Sequence, residues 1–342
     1  MRAARIHEHG GPEVLRVEDC DDPRPGPREA LIRQTATSVN HRDIWIRKGL
    51  PDDTFQYPLP TILGIDVSGE IVAVGDEVGD LRVGDRVICN PYIACGRCHA
   101  CLRQHPHHCA RIDISNGAYA QLVAVPEERL IKLDPSVPAE HAACFANTYI
   151  TAWEMLIAKA RIMPGDVVFV WAGTSGLGSA AIDIAKVVGA TVIATAGRPE
   201  KLEVLKGLGP DLVLDHYNDD IVARVNEFTG GMGANVVFEH VGHATWQRSI
   251  DLAASGARIV SAGLTSGQML EMDVVQMIMK QFTITGSCLG TMAAARGAVS
   301  QLNKGRLKPL IGKTVPLSEI VSAHRMLDEG EIAGKLMIDL EA

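Results

Sequence analysis

The chain has 342 residues, 46% of them hydrophobic and 22% charged, with a formal net charge of −8. That length and apolar content allow at least one large core and suggest two domains. The acidic balance without a basic stripe argues against a nucleic-acid partner, and the lack of an apolar run of about 18 residues, or of an apolar core in the opening MRAARIHEHGG, argues against a membrane span or secretory leader.

Up to about residue 150 the chain is a series of short β-like runs broken by Pro and Gly: EALIRQTATSV, VSGEIVAVG, DRVICN, YAQLVAV and RLIKL. Between them NHRDIWIRKG reads as a short helix. This is the profile of an irregular, mostly β domain. Inside it lies CGRCHACLRQHPHHC, with Cys95, Cys98, Cys101 and Cys109 in the pattern C-x2-C-x2-C-x7-C. Four thiolates on one compact loop suit a tetrahedral zinc ion, and a closed shell leaves no position for substrate, so the metal would be structural. An iron–sulfur cluster is the alternative. His99, His105, His107 and His108 then read as solvated loop residues. The other cysteines (Cys20, Cys89, Cys144, Cys288) are scattered singly, a pattern of a reducing compartment rather than of a disulfide framework. The expectation is a cytoplasmic protein acting on a small molecule.

After about residue 165 apolar strands alternate with amphipathic helices: DVVFVW, TVIATA, DLVLD, ANVVFEHV, ARIVSAG and FTITGS, with helices between them. Strands of this kind predict a parallel sheet covered on both faces. VVFVWAGTSGLGSAAIDIAKVVGA joins the first strand to its helix through a turn of small residues, Gly173, Ser175, Gly176, Leu177 and Gly178. Ser175 takes the middle glycine place of G-x-G-x-x-G. Small residues let backbone approach a pyrophosphate, which the helix N-terminus attracts, so a dinucleotide site is expected. The second strand ends in TVIATAGRPEKL, where an NAD site usually presents a carboxylate to the ribose. Here Ala196, Gly197, Arg198 and Lys201 stand instead, which favours NADPH with its 2′-phosphate. The bland alternative is that Arg198 and Lys201 are a solvated helix start.

Taken together these residues resemble the medium-chain dehydrogenase/reductase family over nearly the whole chain. GGPEVLRVED, SVNHRDIWIRKG, LPTILGIDVSGEIVAVGDEVGDLRVGDRV, the four-cysteine lobe, the Gly-rich turn, VVFEHVGHATWQRSI and GKLMIDL come in the family order. The resemblance implies an α/β fold in two parts. A GroES-like, partly open β-barrel catalytic domain would take residues 1–148 and 288–342, with the zinc lobe at about 90–112. A Rossmann doubly wound domain would take residues 149–287. It also implies a homodimer or homotetramer, since FTITGS resembles the family's dimerisation strand. The family's zinc alcohol dehydrogenases hold a second, catalytic zinc, and this chain departs at all three of its ligand positions: Asn40 where C-x-x-D opens the helix, Ile65 in place of the G-H-E histidine, and Asn147 at the third. Isoleucine cannot bind a metal and Asn is a poor zinc ligand. The segment Asn40-x-x-Asp43-x-x-Ile46-Arg47-x-Gly49 resembles instead the quinone oxidoreductase branch, which uses NADPH and lacks that zinc.

The function so implied is NADPH-dependent hydride transfer to an activated alkene, enone or quinone. Asn40, His41, Asp43, Trp45, Asp66 and Asn147 are the candidate catalytic residues. Asn40 either donates to the substrate oxygen or caps the helix. Asp43 and Asp66 either order a cleft or form structural pairs. His41 either donates a proton or meets the cofactor phosphates, and Arg42 is expected as a surface or cofactor-side charge. Tyr57 is a pocket or core residue. Thr151, His216, Val241, Gly263 and Leu264 join the turn, Arg198 and Lys201 as candidate cofactor contacts, with Tyr149 beside the nicotinamide; His240 and His243 read as structural. The competing expectations are a zinc-dependent alcohol dehydrogenase or aldehyde reductase, and a nucleotide-binding relative that is no enzyme.

Overall fold

The computed structural model describes residues 1–50 and 57–342 and divides them into two compact units. The first consists of Met1–Asn147, Thr291–Gly305 and Ile311–Ala342; the second of Thr148–Gly290 and Arg306–Leu310. Residues 306–310 thus leave the catalytic part to which the sequence reading assigned everything after residue 287. The reason is local: Leu307 is buried, and the Lys308 backbone N–H donates to Asp183 Oδ2 at 2.7 Å.

In the second unit six strands form one parallel sheet in the order Leu212–Asp215, Thr191–Ala196, Val167–Val170, Ala234–Glu239, Ala253–Ser261 and Thr283–Gly286. The chain therefore winds outward in both directions from Val167–Val170, and the point of reversal lies between it and Ala234–Glu239. Ligands bind at such a reversal, beyond the carboxyl ends of the strands. The strand residues Val168, Phe169, Val170, Ile193, Val237 and Ile259 are fully enclosed, which is why they read as continuous apolar runs.

The first unit holds an antiparallel five-stranded sheet built on Glu29–Arg33, Ser68–Val74 and Arg86–Cys89, and smaller sheets, one of them mixed. One of these positions the site. The C-terminal strand Lys335–Asp339 lies between Ile311–Pro316, parallel, and Ala36–Val39, antiparallel, with Leu336 opposite Val39. This register brings Lys335, from the far end of the chain, beside Asn40. The helix His41–Lys48 follows at once and packs its apolar Ile44 and Ile46 inward. Among the described residues no helix is long and apolar enough to cross a membrane.

Candidate active site, cofactor cradle and metal lobe

At the start of helix His41–Lys48 the first unit encloses a network of charged and amide groups. The Asp66 carboxylate is fully buried and accepts four hydrogen bonds: from Ser38 Oγ (2.5 Å), Asn40 Nδ2 (2.9 Å), the Asn147 backbone N–H (2.7 Å) and Lys335 Nζ (3.2 Å). Lys335 is itself buried, and its Nζ also donates to Asn40 Oδ1 at 2.5 Å and to the Val39 carbonyl at 3.3 Å. Asn147 Nδ2 donates to the same Asn40 oxygen at 2.7 Å. Asn40 thus receives two donors on Oδ1 and spends both Nδ2 hydrogens, on Asp66 and on the Ser38 carbonyl. Its amide is saturated, so the side chain has no donor left for a substrate oxygen.

Three of the six residues chosen from the sequence, Asn40, Asp66 and Asn147, are therefore brought together, and Lys335 joins them. Sequence reasoning missed Lys335. The available signal was a lysine opening the buried run GKLMIDL, a place where burial demands a partner.

Asp43 does not join this cluster. It is fully buried on the other side of the helix, where its Oδ2 accepts from Tyr119 Oη (2.8 Å) and from the Asn40 backbone N–H (2.9 Å). Tyr119 Oη lies 3.1 Å from His324 Nε2, and His324 Nδ1 lies 3.3 Å from Arg47 Nη1. Arg47 can only donate, so His324 accepts at Nδ1, carries its proton on Nε2 and donates to Tyr119, which donates to Asp43. Burial pushes the Asp43 carboxyl up to about 6, and burial together with Arg47 holds His324 down to about 3. The motif residues Asp43 and Arg47 are thus the ends of a structural chain that fixes the helix, and the expectation that Asp43 works in a cleft gives way to this core role. His41 is exposed in the first turn, Trp45 is half-buried, and their rings are 6.4 Å apart. Arg42, expected as a surface or cofactor-side charge, is only 7% exposed, which removes the surface alternative.

In the second unit the small-residue turn closes onto helix Gly176–Val188. Ser175 Oγ accepts from the Gly178 N–H at 2.9 Å and caps the helix. A Cβ on Gly178 would lie 2.4 Å from the Ala172 carbonyl, so only glycine lets helix and strand approach this closely. Beyond the second strand, a Cβ on Gly197 would strike the His216 and Tyr217 rings. His216 Nδ1 lies 3.1 Å from Thr195 Oγ1, and burial holds its ring below the usual histidine range, with Arg248 and Lys201 adding to the effect. Burial and then Arg198 lower Lys201 in the same way. Arg248 stands 4.8 Å over the Trp171 ring and donates to the His216 carbonyl at 3.3 Å. Lys201 and Arg248 therefore stand near His216, with Arg198 near Lys201, and Arg248 is a further residue that sequence reasoning missed.

The loop that carries Val241 is shaped by Glu239, a buried carboxylate accepting from the Val241 and Gly242 N–H groups, Thr245 and Ser249. Gly263 and Leu264 lie beside this loop: the Gly263 Cα is close against the His240 carbonyl, and the Ser266 N–H donates to the Val241 carbonyl. Thr151 is buried at the start of the unit, and Tyr149 donates to Asp183 at 3.0 Å. His240 Nε2 is 2.8 Å from the Trp171 carbonyl and His243 Nδ1 2.9 Å from the Met269 carbonyl, each held by backbone.

The four thiols of Cys95, Cys98, Cys101 and Cys109 have all their sulfur atoms within 4.8 Å of one another. Tetrahedral Zn–S bonds of about 2.3 Å require such a spacing. Backbone N–H groups of Cys95 and Arg111 point at the Cys109 sulfur, 3.3 Å away in each case. Amides of Cys101 and Ala110 hold Cys98 down to about 6, while burial and its neighbour Cys98 push Cys101 up to about 12. The full set ionises only around a cation, and the donors fit zinc. Among the described residues this is the one group of three or more His, Cys, Asp or Glu side chains able to hold a metal ion.

Two family models match: alcohol dehydrogenase GroES-like domain over residues 26–135, and zinc-binding dehydrogenase over residues 176–304. The chain belongs to the medium-chain dehydrogenase/reductase family. Its GroES-like and Rossmann parts are those of the family, and its relatives are oxidoreductases. A solved structure of an NAD-dependent alcohol dehydrogenase is 38% identical, with a TM-score of 0.93 over 99% of this chain and 100% of that one. A quinone oxidoreductase of Pseudomonas aeruginosa is 29% identical over 96% of this chain and 97% of its own. A 2-haloacrylate reductase of a Burkholderia species is 28% identical over 99% of this chain and 98% of its own. The family binds NAD or NADP, and the central reversal of the sheet is built for such a ligand. A catalytic zinc does not fit this member. Ile65 is buried and apolar, and Asn40, Asp66 and Asn147 are engaged with one another and with the Lys335 ammonium.

Proposed function

We propose that this protein is an NADPH-dependent reductase of activated alkenes or quinones that works without a catalytic metal and is braced by one structural zinc. The observation that carries the reading is Lys335, whose ammonium group donates to Asn40, at one of the three zinc-ligand positions, and to Asp66, next to another. A lysine cannot act as the Lewis acid that polarises a simple carbonyl. An acceptor whose double bond is already conjugated needs less help, because charge spreads onto an oxygen held by donors. When bound, NADPH would supply the hydride. Lys335 and Asp66 hold Asn40 and Asn147 in one orientation, and His41, exposed in the first turn, is the proposed proton donor. The names of the quinone and 2-haloacrylate reductases support this acceptor class. Lys201 and Arg248 near His216, Arg198 near Lys201, and the lack of a carboxylate closing the second strand support a 2′-phosphate.

The rival is a zinc-dependent, NAD-linked alcohol dehydrogenase, favoured by the name of the 38% identical structure. One experiment separates the two: oxidation of NADPH and NADH against quinones, enones, enoyl thioesters and aldehydes, with metal analysis of the same preparation. One zinc per chain and NADPH-linked reduction of enones or quinones support the proposal. Two zinc ions per chain, with alcohol oxidation abolished by a chelator, overturn it. NADPH binding without turnover of any acceptor would point to a relative that only binds nucleotide. The chain is further proposed to pair with a second copy in the cytoplasm. The edge strand Thr283–Gly286 has a neighbour on one side only, and the adjoining helix Val274–Lys280 exposes Val275, Ile278 and Met279. Sedimentation of wild type and Ile278→Asp would test this.

A further inference from the structure

Arg42, two residues after Asn40, is a buried cation that makes no ion pair among the described residues, although the neighbouring Asp43 carboxylate feels its charge. Its side chain is 93% enclosed, at 7% relative exposure, and its guanidinium carbon lies 5.2 Å from the Tyr57 ring centroid. Nη2 donates to Tyr57 Oη, which donates in turn to the Ile114 carbonyl at 3.2 Å. Nε and Nη1 are shielded from solvent and have no partner. The next residue, Asp43, turns its Oδ2 to Tyr119 and the Asn40 N–H, its Oδ1 is buried without a hydrogen bond, and Arg42 acts on it through its charge without an ion pair. The other buried cations are provided for: Lys335 has Asp66, Arg47 has Asp328, and Arg129 has the Asn90 carbonyl and the Cys89 sulfur. Two residues past Ile114, Asn116 has both amide atoms buried and unpartnered as well.

A buried guanidinium in this state carries a large desolvation cost unless an anion completes it. A guanidinium has two bidentate edges, Nε with one Nη2 hydrogen and Nη1 with the other. Tyr57 takes one Nη2 hydrogen, so whichever it takes, the opposite edge keeps both of its hydrogens unpaired. We propose that Arg42, held in place by Tyr57, binds the carboxylate of the substrate, which is then a small α,β-unsaturated carboxylic acid. The inference rests on the proposed reductase activity only for the fate of the double bond. The chemistry agrees with it: an ionised carboxylate feeds electron density into a conjugated alkene and makes it a poor hydride acceptor, and pairing with a guanidinium withdraws that density.

The test is calorimetric titration of the NADPH-loaded protein with crotonate and with its neutral isostere crotonamide. The expected result is crotonate binding at least tenfold tighter than crotonamide, a preference lost in Arg42→Gln and partly kept in Arg42→Lys. Equal binding of the two probes, no binding of crotonate to the wild type, or an unchanged preference in a folded Arg42→Gln protein overturns the proposal. Should Arg42→Gln fail to fold, Arg42→Lys decides: it keeps the charge but not the planar fork, so an undiminished preference overturns the bidentate site and a reduced one supports it. Arg42-dependent binding of crotonate in a protein that oxidises NADPH with no acceptor leaves the subsite standing and removes the reductase reading. Turnover of quinones without any preference for crotonate does the reverse.

Discussion

The two places where this family can hold zinc have gone separate ways in one chain. In the lobe, four sulfurs lie within 4.8 Å and only a divalent cation lets them all ionise. At the start of helix His41–Lys48 a cation is also required, because Asp66 is buried, but the chain supplies its own in Lys335. The contrast teaches that a metal site can lose its ligands without losing its electrostatics: a positive charge still sits among polar groups drawn from distant segments. The difference lies in what each cation can be asked to do. A zinc ion in that closed thiolate shell would brace the lobe as the saturated ammonium braces the helix start, and neither would open a coordination position to substrate.

The contrast breaks hardest at the lobe. Cys98→Ser is expected to abolish zinc retention and to lower the melting temperature by more than any other change considered, since structural zinc contributes folding free energy directly; metal analysis and calorimetry of the variant check it. Next comes Lys335→Met, which strands the Asp66 carboxylate. The expected loss is about 3–5 kcal/mol, and most of it should return in Lys335→Met combined with Asp66→Asn. A double variant no better than the single one in urea unfolding would remove the pair from the argument.

The chain of buried groups behind the helix gives a smaller, pH-dependent effect. His324 is held at about 3, below its ordinary 6.5, so below pH 6.5 protons favour the unfolded chain. Its contribution is fully present above pH 6.5 and is lost as the pH falls toward 3, by about 2 kcal/mol between pH 7 and 5. Asp43 acts oppositely. Its folded value of about 6 lies above 3.8, so acidification through pH 6 favours the fold. His324→Gln should therefore flatten the acid side of the stability profile, and Asp43→Asn should steepen it. Urea melts at pH 5 and 7 measure both slopes, and parallel profiles for wild type and His324→Gln would show that the histidine is not buried neutral. The smallest effect concerns the cofactor. Arg198→Ala and Arg248→Ala should each lower the NADPH-over-NADH preference about tenfold, on the order of 1.4 kcal/mol, and steady-state kinetics with both nucleotides would reveal an unchanged ratio.

Much of this was legible in the sequence for a physical reason. A strand buried on both faces must be apolar throughout, so Val167–Val170 and its parallel neighbours announce themselves. Four cysteines within fifteen residues make spacing and geometry nearly the same thing. The Asn40, Ile65 and Asn147 departures were visible because they fall inside motifs. Lys335 was not, because its partners Asn40 and Asp66 lie 295 and 269 residues away and only strand register brings them together. The surface alternative for Arg42 failed because NHRDIWIRKG carries charges on every side, so its pattern does not separate a buried arginine from a solvated one. Arg248 escaped notice since nothing in a helix sequence marks a guanidinium that will lie over a tryptophan.

The position of Lys335–Asp339 between Ala36–Val39 and Ile311–Pro316 also governs how the molecule is made. During synthesis Asn40 and Asp66 leave the ribosome long before the lysine that neutralises them, and the Rossmann strands emerge in between. That central unit closes on contacts within its own stretch of chain, while the first unit waits for the last eight residues. A nascent chain stalled short of residue 335 therefore carries a finished nucleotide domain and an unfinished catalytic one. A ribosome-bound series of lengths should show protease resistance of the segment around Ala36–Val39, which pairs with Lys335–Asp339, arriving last.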